Sequence, residues 1–209
     1  MYHAYQNGFI EVVCGPMFAG KTEELIRRAR RLRYAKQKFL IFKPEIDNRY
    51  NAKNEIVSHN LITEEAILIK EANDILKYIK EDIDAVIIDE AQFLDHNIVK
   101  IADYLADIGI RVIIGGLDRD FKGKPFGPMP ELLAIAEFVT KLTAICVKTG
   151  EPATRTQRII NGKPASIHDP IIVIGASESY EPRSRHAHEV LGKDDDNTWK
   201  IYETCLKRS

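Results

Sequence analysis

Gly15-Pro16-Met17-Phe18-Ala19-Gly20-Lys21-Thr22 has the spacing G-x-x-x-x-G-K-[ST], and the fixed positions each have a chemical reason. Gly15 and Gly20 let the backbone curl until successive N–H groups point at one anion, beside the positive end of a helix. Lys21 would neutralise the β- and γ-phosphates of a nucleoside triphosphate, and the Thr22 hydroxyl would ligate Mg²⁺. The bland alternative is an idle glycine-rich turn, and a chance match arises in about one chain per hundred of this length. The flanks favour the phosphate reading: an apolar run precedes the motif and a helical pattern follows it, as such a loop requires.

AVIIDEAQF, residues 85 to 93, supplies a partner. An apolar strand ending in Asp89 places a carboxylate at the sheet's C-terminal edge, where it holds Mg²⁺ through water. Glu90 points differently at the strand end, and a carboxylate there can take a proton from an attacking hydroxyl or water. Two acids merely capping a strand are the alternative. DEAQ also resembles the second motif of DEAD-type ATPases that act on nucleic acid, but that reading needs a second lobe with its own arginine. A nucleotide-binding regulator without catalysis is a further alternative, against which Glu90 speaks.

The elements that position these groups follow from periodicity. Val- and Ile-rich runs at 9 to 13, 38 to 42, 85 to 89 and 111 to 115 read as strands buried on both faces. Between them EELIRRARRLRYAKQ, EANDILKYIKED and NIVKIADYLADIG carry helical spacing, the last ending at Gly109. Alternating strands and helices imply an α/β, P-loop (RecA-like) fold, with a mainly parallel sheet and helices on both faces. Residues 1–141 form this nucleotide-binding domain. From 142 to 192 the pattern changes to short β-like pieces (LTAICV, TRTQRII, PIIVIG), a small second lobe. Residues 193–209 read as a tail, helical by its pattern, in which Trp199 and Tyr202 pack on the body or on a neighbour.

Composition excludes several classes. At 44% hydrophobic and 29% charged the chain can bury a core, and a net charge of −1 gives no global attraction to nucleic acid or anionic membranes. Cys14, Cys146 and Cys205 are too scattered for a disulfide scaffold. No signal peptide pattern opens the chain and no apolar run approaches the ~20 residues needed to span a bilayer. The expectation is a cytoplasmic protein.

GPMFAGKTEELIRR, KPEIDNRY, VSH, IDEAQF, GGLDRDFKGKPF, LTAIC, TRTQR and VIGASESYEPR follow one another along nearly the whole chain. In this order they resemble the thymidine kinases of the tetrameric, zinc-containing family. The resemblance implies transfer of the γ-phosphoryl of ATP to the 5′-hydroxyl of deoxythymidine with Mg²⁺, giving dTMP. It casts Glu90 as general base, with Lys21, Thr22, Asp89 and Gln92 in the phosphate and Mg²⁺ set. Asp47 and Arg49 match a flexible loop whose arginine approaches phosphates; a solvated surface pair is the alternative. The nucleoside pocket maps onto Met17, Phe93, Leu117, Phe121 and Phe126, with Thr156 and Tyr180 from the second lobe. A lasso-like loop from Val173 through Ile174, Gly175 and Ala176 to Tyr180 holds the base. Inhibition by dTTP, a homotetramer, and no nucleic-acid or membrane partner are also implied.

The same resemblance places metal ligands at 146, 149, 184 and 187, where this chain has Cys146, Thr149, Ser184 and Ala187. Hydroxyls are poor Zn²⁺ ligands and alanine is none, so zinc is not expected and the lobe is expected to rest on packing of LTAIC and PIIVIG and on subunit contacts. A substitute site from Cys146 with His186 and His188 is the rival reading, against hydrogen-bonded or exposed histidines; His168 lies in the same lobe. The run RRARRLR, 27 to 33, is either a nucleic-acid patch or a solvated, salt-bridged helix face.

Overall fold

The computed structural model describes residues 8–45, 55–57, 63–172 and 178–193. The first apolar run becomes β1 (Ile10–Cys14), buried throughout. The chain continues through α1 (Lys21–Tyr34), β2 (Phe39–Pro44), β3 (Glu55–Val57), β4 (Thr63–Glu65), β5 (Ile67–Ile69) and β6 (Ala85–Ile88). Then come α2 (Asn97–Asp107), β7 (Arg111–Gly116), α3 (Met129–Ile135) and β8 (Phe138–Lys141). Six strands form one parallel sheet in the order β5-β2-β6-β7-β1-β8, while β3 and β4 pair antiparallel with each other.

Near-continuous hydrophobicity in the central strands is explained by burial on both faces. Val12, Phe42, Ile88 and Ile114 pack with Ile98, Ile101 and Leu105 of α2 and with Met129 and Leu132 of α3. Their alternate neighbours Val13, Ile41, Ile87 and Ile113 pack with Leu25, Ile26, Ala29 and Leu32 of α1. The expected parallel α/β architecture with helices on both faces is the one observed. No helix among the described residues is long and apolar enough to cross a membrane.

One expected helix is corrected. EANDILKYIKED yields only a 3₁₀ turn at Ala72–Lys77. Ala72 and Ile75, three apart, are its buried residues, whereas Leu76 and Tyr78 are exposed, so an eclipsed 3₁₀ turn already buries the apolar pair. Asp74 accepts the N–H groups of Lys70 and Glu71 and Asp95 accepts that of Ala72, which satisfies the start of the turn. The sequence reading also missed α3 and β8. Strand β8 lies at the sheet edge with alternating half-buried and exposed residues, a weak apolar signal.

Beyond Lys141 the strands are short: β9 (Ala144–Ile145), β10 (Pro152–Ala153), β11 (Arg155–Ile160), β12 (Lys163–Pro164) and β13 (Glu178–Arg183). Strands β9 and β10 pair with each other, and β11 lies between β12 and β13. LTAICV and TRTQRII do contribute strands, but residues 170 to 172 of PIIVIG do not. Ile171 and Ile172 are 42% and 51% exposed, so packing of this part of PIIVIG does not hold the lobe together. Instead ESYEPR, with no apolar alternation, pairs along β11 from Arg155↔Arg183 to Ile160↔Glu178. The tail from 194 onward, with Trp199, Tyr202 and Cys205, lies outside the described residues.

The arginine run divides by burial. Arg27 is exposed and bonded to Glu24, as a salt-bridged face would be. Arg28 is buried, 2.8 Å from fully buried Glu11. It also bonds Glu24 and the Thr140 hydroxyl, and Arg111 closes on the other oxygen of Glu11. This ion pair clamps α1 to β1 and to the edge strand β8. Removing one partner leaves a buried charge short of compensation. Arg28→Met is expected to lower stability by about 3 kcal/mol, read as a fall in the urea midpoint; an unchanged midpoint would refute the clamp.

Candidate active site

Because β7 lies between β6 and β1, the carboxyl ends of these parallel strands emerge side by side. Open α/β sheets bind ligands at that edge. The glycine-rich loop follows β1. Gly20 caps α1 in a left-handed conformation with φ 80°, and Gly15 has φ 150°. A Cβ on Gly15 would lie 2.5 Å from the carbonyl oxygen of Leu142, so the loop seats closely against the start of the second lobe. Phe18 has φ 65° and is 55% exposed, a left-handed conformation that costs a bulky residue about 1 kcal/mol.

Lys21 is buried and its Nζ donates to the Pro16 carbonyl at 2.8 Å. Burial lowers its pKa, opposed by the carboxylates of Glu90, Asp89 and Asp118. Thr22 Oγ1 donates to Asp89 Oδ2 at 3.4 Å, and the Glu90 N–H donates to Asp89 Oδ1 at 2.9 Å. Burial, and secondarily the charge of Glu90, raise the Asp89 pKa to about 6. A carboxylate so poor in compensating charge, beside a hydroxyl and an ammonium, suits a cation that brings phosphates with it. Thr22 and Asp89 therefore fit the Mg²⁺ role expected of them.

Glu90 has φ 54°, which turns the chain sharply after β6 and lets its half-buried side chain leave in a different direction from that of Asp89. Gln92 is buried: its Nε2 donates to Glu90 Oε2 at 2.5 Å and its Oε1 accepts the Leu117 N–H at 2.9 Å. The described contacts of its side chain are thus within the protein, at the carboxylate and at the end of β7.

The expected nucleoside wall is partly assembled. Phe93 and Phe126 meet edge to face with centroids 5.4 Å apart. Met17 donates its N–H to Thr156 Oγ1 at 3.1 Å, joining the phosphate loop to β11. Leu117 is half-buried at the end of β7. Phe121 is 5% exposed under the Arg158 guanidinium, 5.0 Å from its ring centre, so this ring is packed away more fully than an open pocket wall. Tyr180 is half-buried opposite Arg158 in the β11–β13 register. Asp47, Arg49, Val173, Ile174, Gly175 and Ala176 lie outside the described residues.

Several residues here escaped the sequence reading. Asp118 is buried and 2.7 Å from Lys141 Nζ. Its signal was available: RVIIGGLD ends an apolar strand in an acid just as AVIID does. Asp120 Oδ1 accepts the N–H groups of Lys122 and Lys124, shaping the loop that carries Phe121. Arg158 is almost fully buried and donates to the Pro170 carbonyl at 2.6 Å. No local pattern marks it, because its burial comes from residues distant in sequence. Cys14 is a core thiol whose pKa burial and Asp118 push up to about 11.

The positions expected to have lost a metal form a small hydrogen-bonded knuckle. Thr149 Oγ1 lies 3.5 Å from Ser184 Oγ and 3.1 Å from Glu151 Oε2. Burial raises the Cys146 pKa, but bonds from the Thr149 hydroxyl and from the N–H groups of Ser184, Lys148 and Thr149 outweigh it and bring it to about 6. Ala187 packs with Ala144, Cys146 and Ala153, and so does Ala19 of the phosphate loop. Two hydroxyls and a methyl do not fit Zn²⁺. His186 is exposed, and His188 Nε2 contacts the Phe121 carbonyl at 2.8 Å. Among the described residues no group of three or more His, Cys, Asp or Glu is gathered to hold a metal.

Compared with known families, residues 8–188 match the family model described as thymidine kinase. That span contains the whole edge built above.

The raised pKa of Asp89 has a stability consequence. Between 3.8 and about 6 the folded chain holds a proton that the unfolded chain has released. Stability therefore falls as pH rises through that window. Asp89→Asn is expected to raise the stability of the nucleotide-free protein by about 2 kcal/mol at pH 8, with the gain fading towards pH 4. Urea unfolding at both pH values checks this; a loss of stability at pH 8 would refute it.

Proposed function

The chain belongs to the thymidine kinase family, and from that premise we propose that it phosphorylates deoxythymidine at the 5′-hydroxyl, taking the γ-phosphoryl of ATP and releasing dTMP and ADP. Support comes above all from one juxtaposition: Thr22 bonds Asp89 at the strand edge, Lys21 lies within reach of its charge, and Glu90 is the next residue. A phosphate cradle needs the first three, and deprotonating an alcohol needs the fourth.

In this reading ATP lies along residues 15 to 22 with its phosphates over the start of α1. Lys21 leaves the Pro16 carbonyl for the phosphate oxygens, and the neighbouring carboxylates oppose the lowering of its pKa by burial. Thr22 and Asp89 would hold Mg²⁺, which would supply positive charge against the triphosphate. Glu90 accepts the proton of the 5′-hydroxyl. The hydroxyl oxygen bonds to the γ-phosphorus as the bond from that phosphorus to the β–γ bridging oxygen breaks, and ADP departs. Met17, Phe93, Leu117, Phe126 and Thr156 are assigned to the nucleoside, with Phe121 and Tyr180 behind them; apolar and aromatic walls with few polar groups suit thymine. Asp47 and Arg49 are assigned to the phosphates, and Val173 to Ala176 to the base. A cytoplasmic homotetramer inhibited by dTTP completes the proposal, with Cys146, Thr149, Ser184 and Ala187 holding the second lobe without zinc.

Purified protein is expected to convert deoxythymidine to dTMP with ATP and Mg²⁺, and Glu90→Gln to lower kcat by about 10²- to 10⁴-fold. No dTMP with the wild-type protein, together with ATP hydrolysis stimulated by nucleic acid, would replace this reading by the ATPase one. Metal analysis of the same sample is expected to find far less than one zinc per chain. Stoichiometric zinc that survives dialysis would overturn the metal-free knuckle.

A further inference from the structure

The geometry points to Gln92 as a positioning residue that aims the Glu90 carboxylate and ties it to the nucleoside wall at Leu117. An amide can present either end, but here the end is decided by its surroundings. The Leu117 N–H is a donor, so it must face Oε1, and Nε2 is left to donate to Glu90. Gln92 is 2% exposed, so water cannot readily replace either bond. Its seat is shaped for it. A Cβ on Gly116 would come within 2.8 Å of Gln92 Oε1, and one on Gly127 within 2.3 Å of the Gln92 carbonyl oxygen. Closely approaching backbone on both sides thus leaves room for this side chain in this place.

The consequence concerns orientation. Glu90 follows β6 with φ 54°, and a glutamate has freely turning side-chain bonds. Among the described residues the donor fixed on the Glu90 side chain is at Oε2, which leaves Oε1 to meet a substrate hydroxyl, and preorganisation of that kind contributes to rate rather than to nucleotide affinity. The donor is itself anchored to the backbone between Gly116 and Leu117. Movement of the nucleoside wall would therefore be felt at the carboxylate through one rigid amide. This differs from the nucleotide-contact role that the family resemblance implies for Gln92.

The inference rests on Glu90 being the base, and its test separates the two. Gln92→Met removes both bonds at similar volume, and Gln92→Asn is the fallback, being too short to span both partners. Gln92→Met is expected to lower kcat for dTMP formation about tenfold with KM for ATP unchanged, and to add no further loss in a Glu90→Gln background. A raised KM for ATP with unchanged kcat, or an additive loss in that background, overturns the clamp. The contact is also read without activity, by urea unfolding of Glu90→Ala, Gln92→Met and the double variant. Non-additive midpoint shifts support the clamp even if no dTMP forms, in which case the kinase reading alone fails. Additive shifts overturn the clamp whatever the reaction.

Discussion

A buried ammonium held among carboxylates is the constraint from which the rest of this structure follows. Lys21 opens α1 with its ammonium turned back to the Pro16 carbonyl, and Glu90, Asp89 and Asp118 oppose the lowering that burial imposes on its pKa. Those acids come from the ends of β6 and β7, so the cluster exists only because the strand order β6-β7-β1 brings three carboxyl ends together. Small residues permit the approach: a Cβ on Gly115 would meet Leu25 of α1 at 2.6 Å and Asp89 at 3.1 Å. The continuous apolar strands and the buried Arg28–Glu11 pair hold α1 and β1 in the register this cluster demands.

The second lobe is joined to that edge by short polar and apolar contacts. Thr156 takes the Met17 N–H, Ala19 packs against Ala144, Cys146 and Ala153, and His188 reaches the Phe121 carbonyl. The knuckle that carries Cys146 therefore braces the phosphate loop directly. Hydrogen bonds among Thr149, Ser184 and Glu151 are weaker than metal coordination. They act on a patch already anchored by the β11–β13 pairing, which runs from Arg155 to Ile160.

Charge pulls against stability at Asp89. Its burial disfavours the charged form, which the nucleotide-free protein must tolerate at neutral pH. Such local cost is usual where a site is built for a ligand it does not always hold. Glu90 and Phe18, both left-handed without being glycine, belong to the same pattern.

Much of this was legible along the chain because its causes are local. G-x-x-x-x-G-K-T encodes its own turn and helix start, and AVIID announces a buried strand ending in an acid; the parallel sheet follows from their alternation. Periodicity failed where packing overrode it. The segment 71 to 82 shortened to a 3₁₀ turn because Ala72 and Ile75, three apart, are the residues of the turn that it buries, and ESYEPR became a strand because β11 offered an edge to pair with. The side-chain partnerships of the site were decided by tertiary structure alone. Gln92 finds Leu117, Thr156 finds Met17, and Arg158 finds Phe121 across sequence separations that no local pattern spans. The residue types for binding and chemistry are written in order along the chain; which of their atoms meet depends on a strand order that only the folded sheet creates.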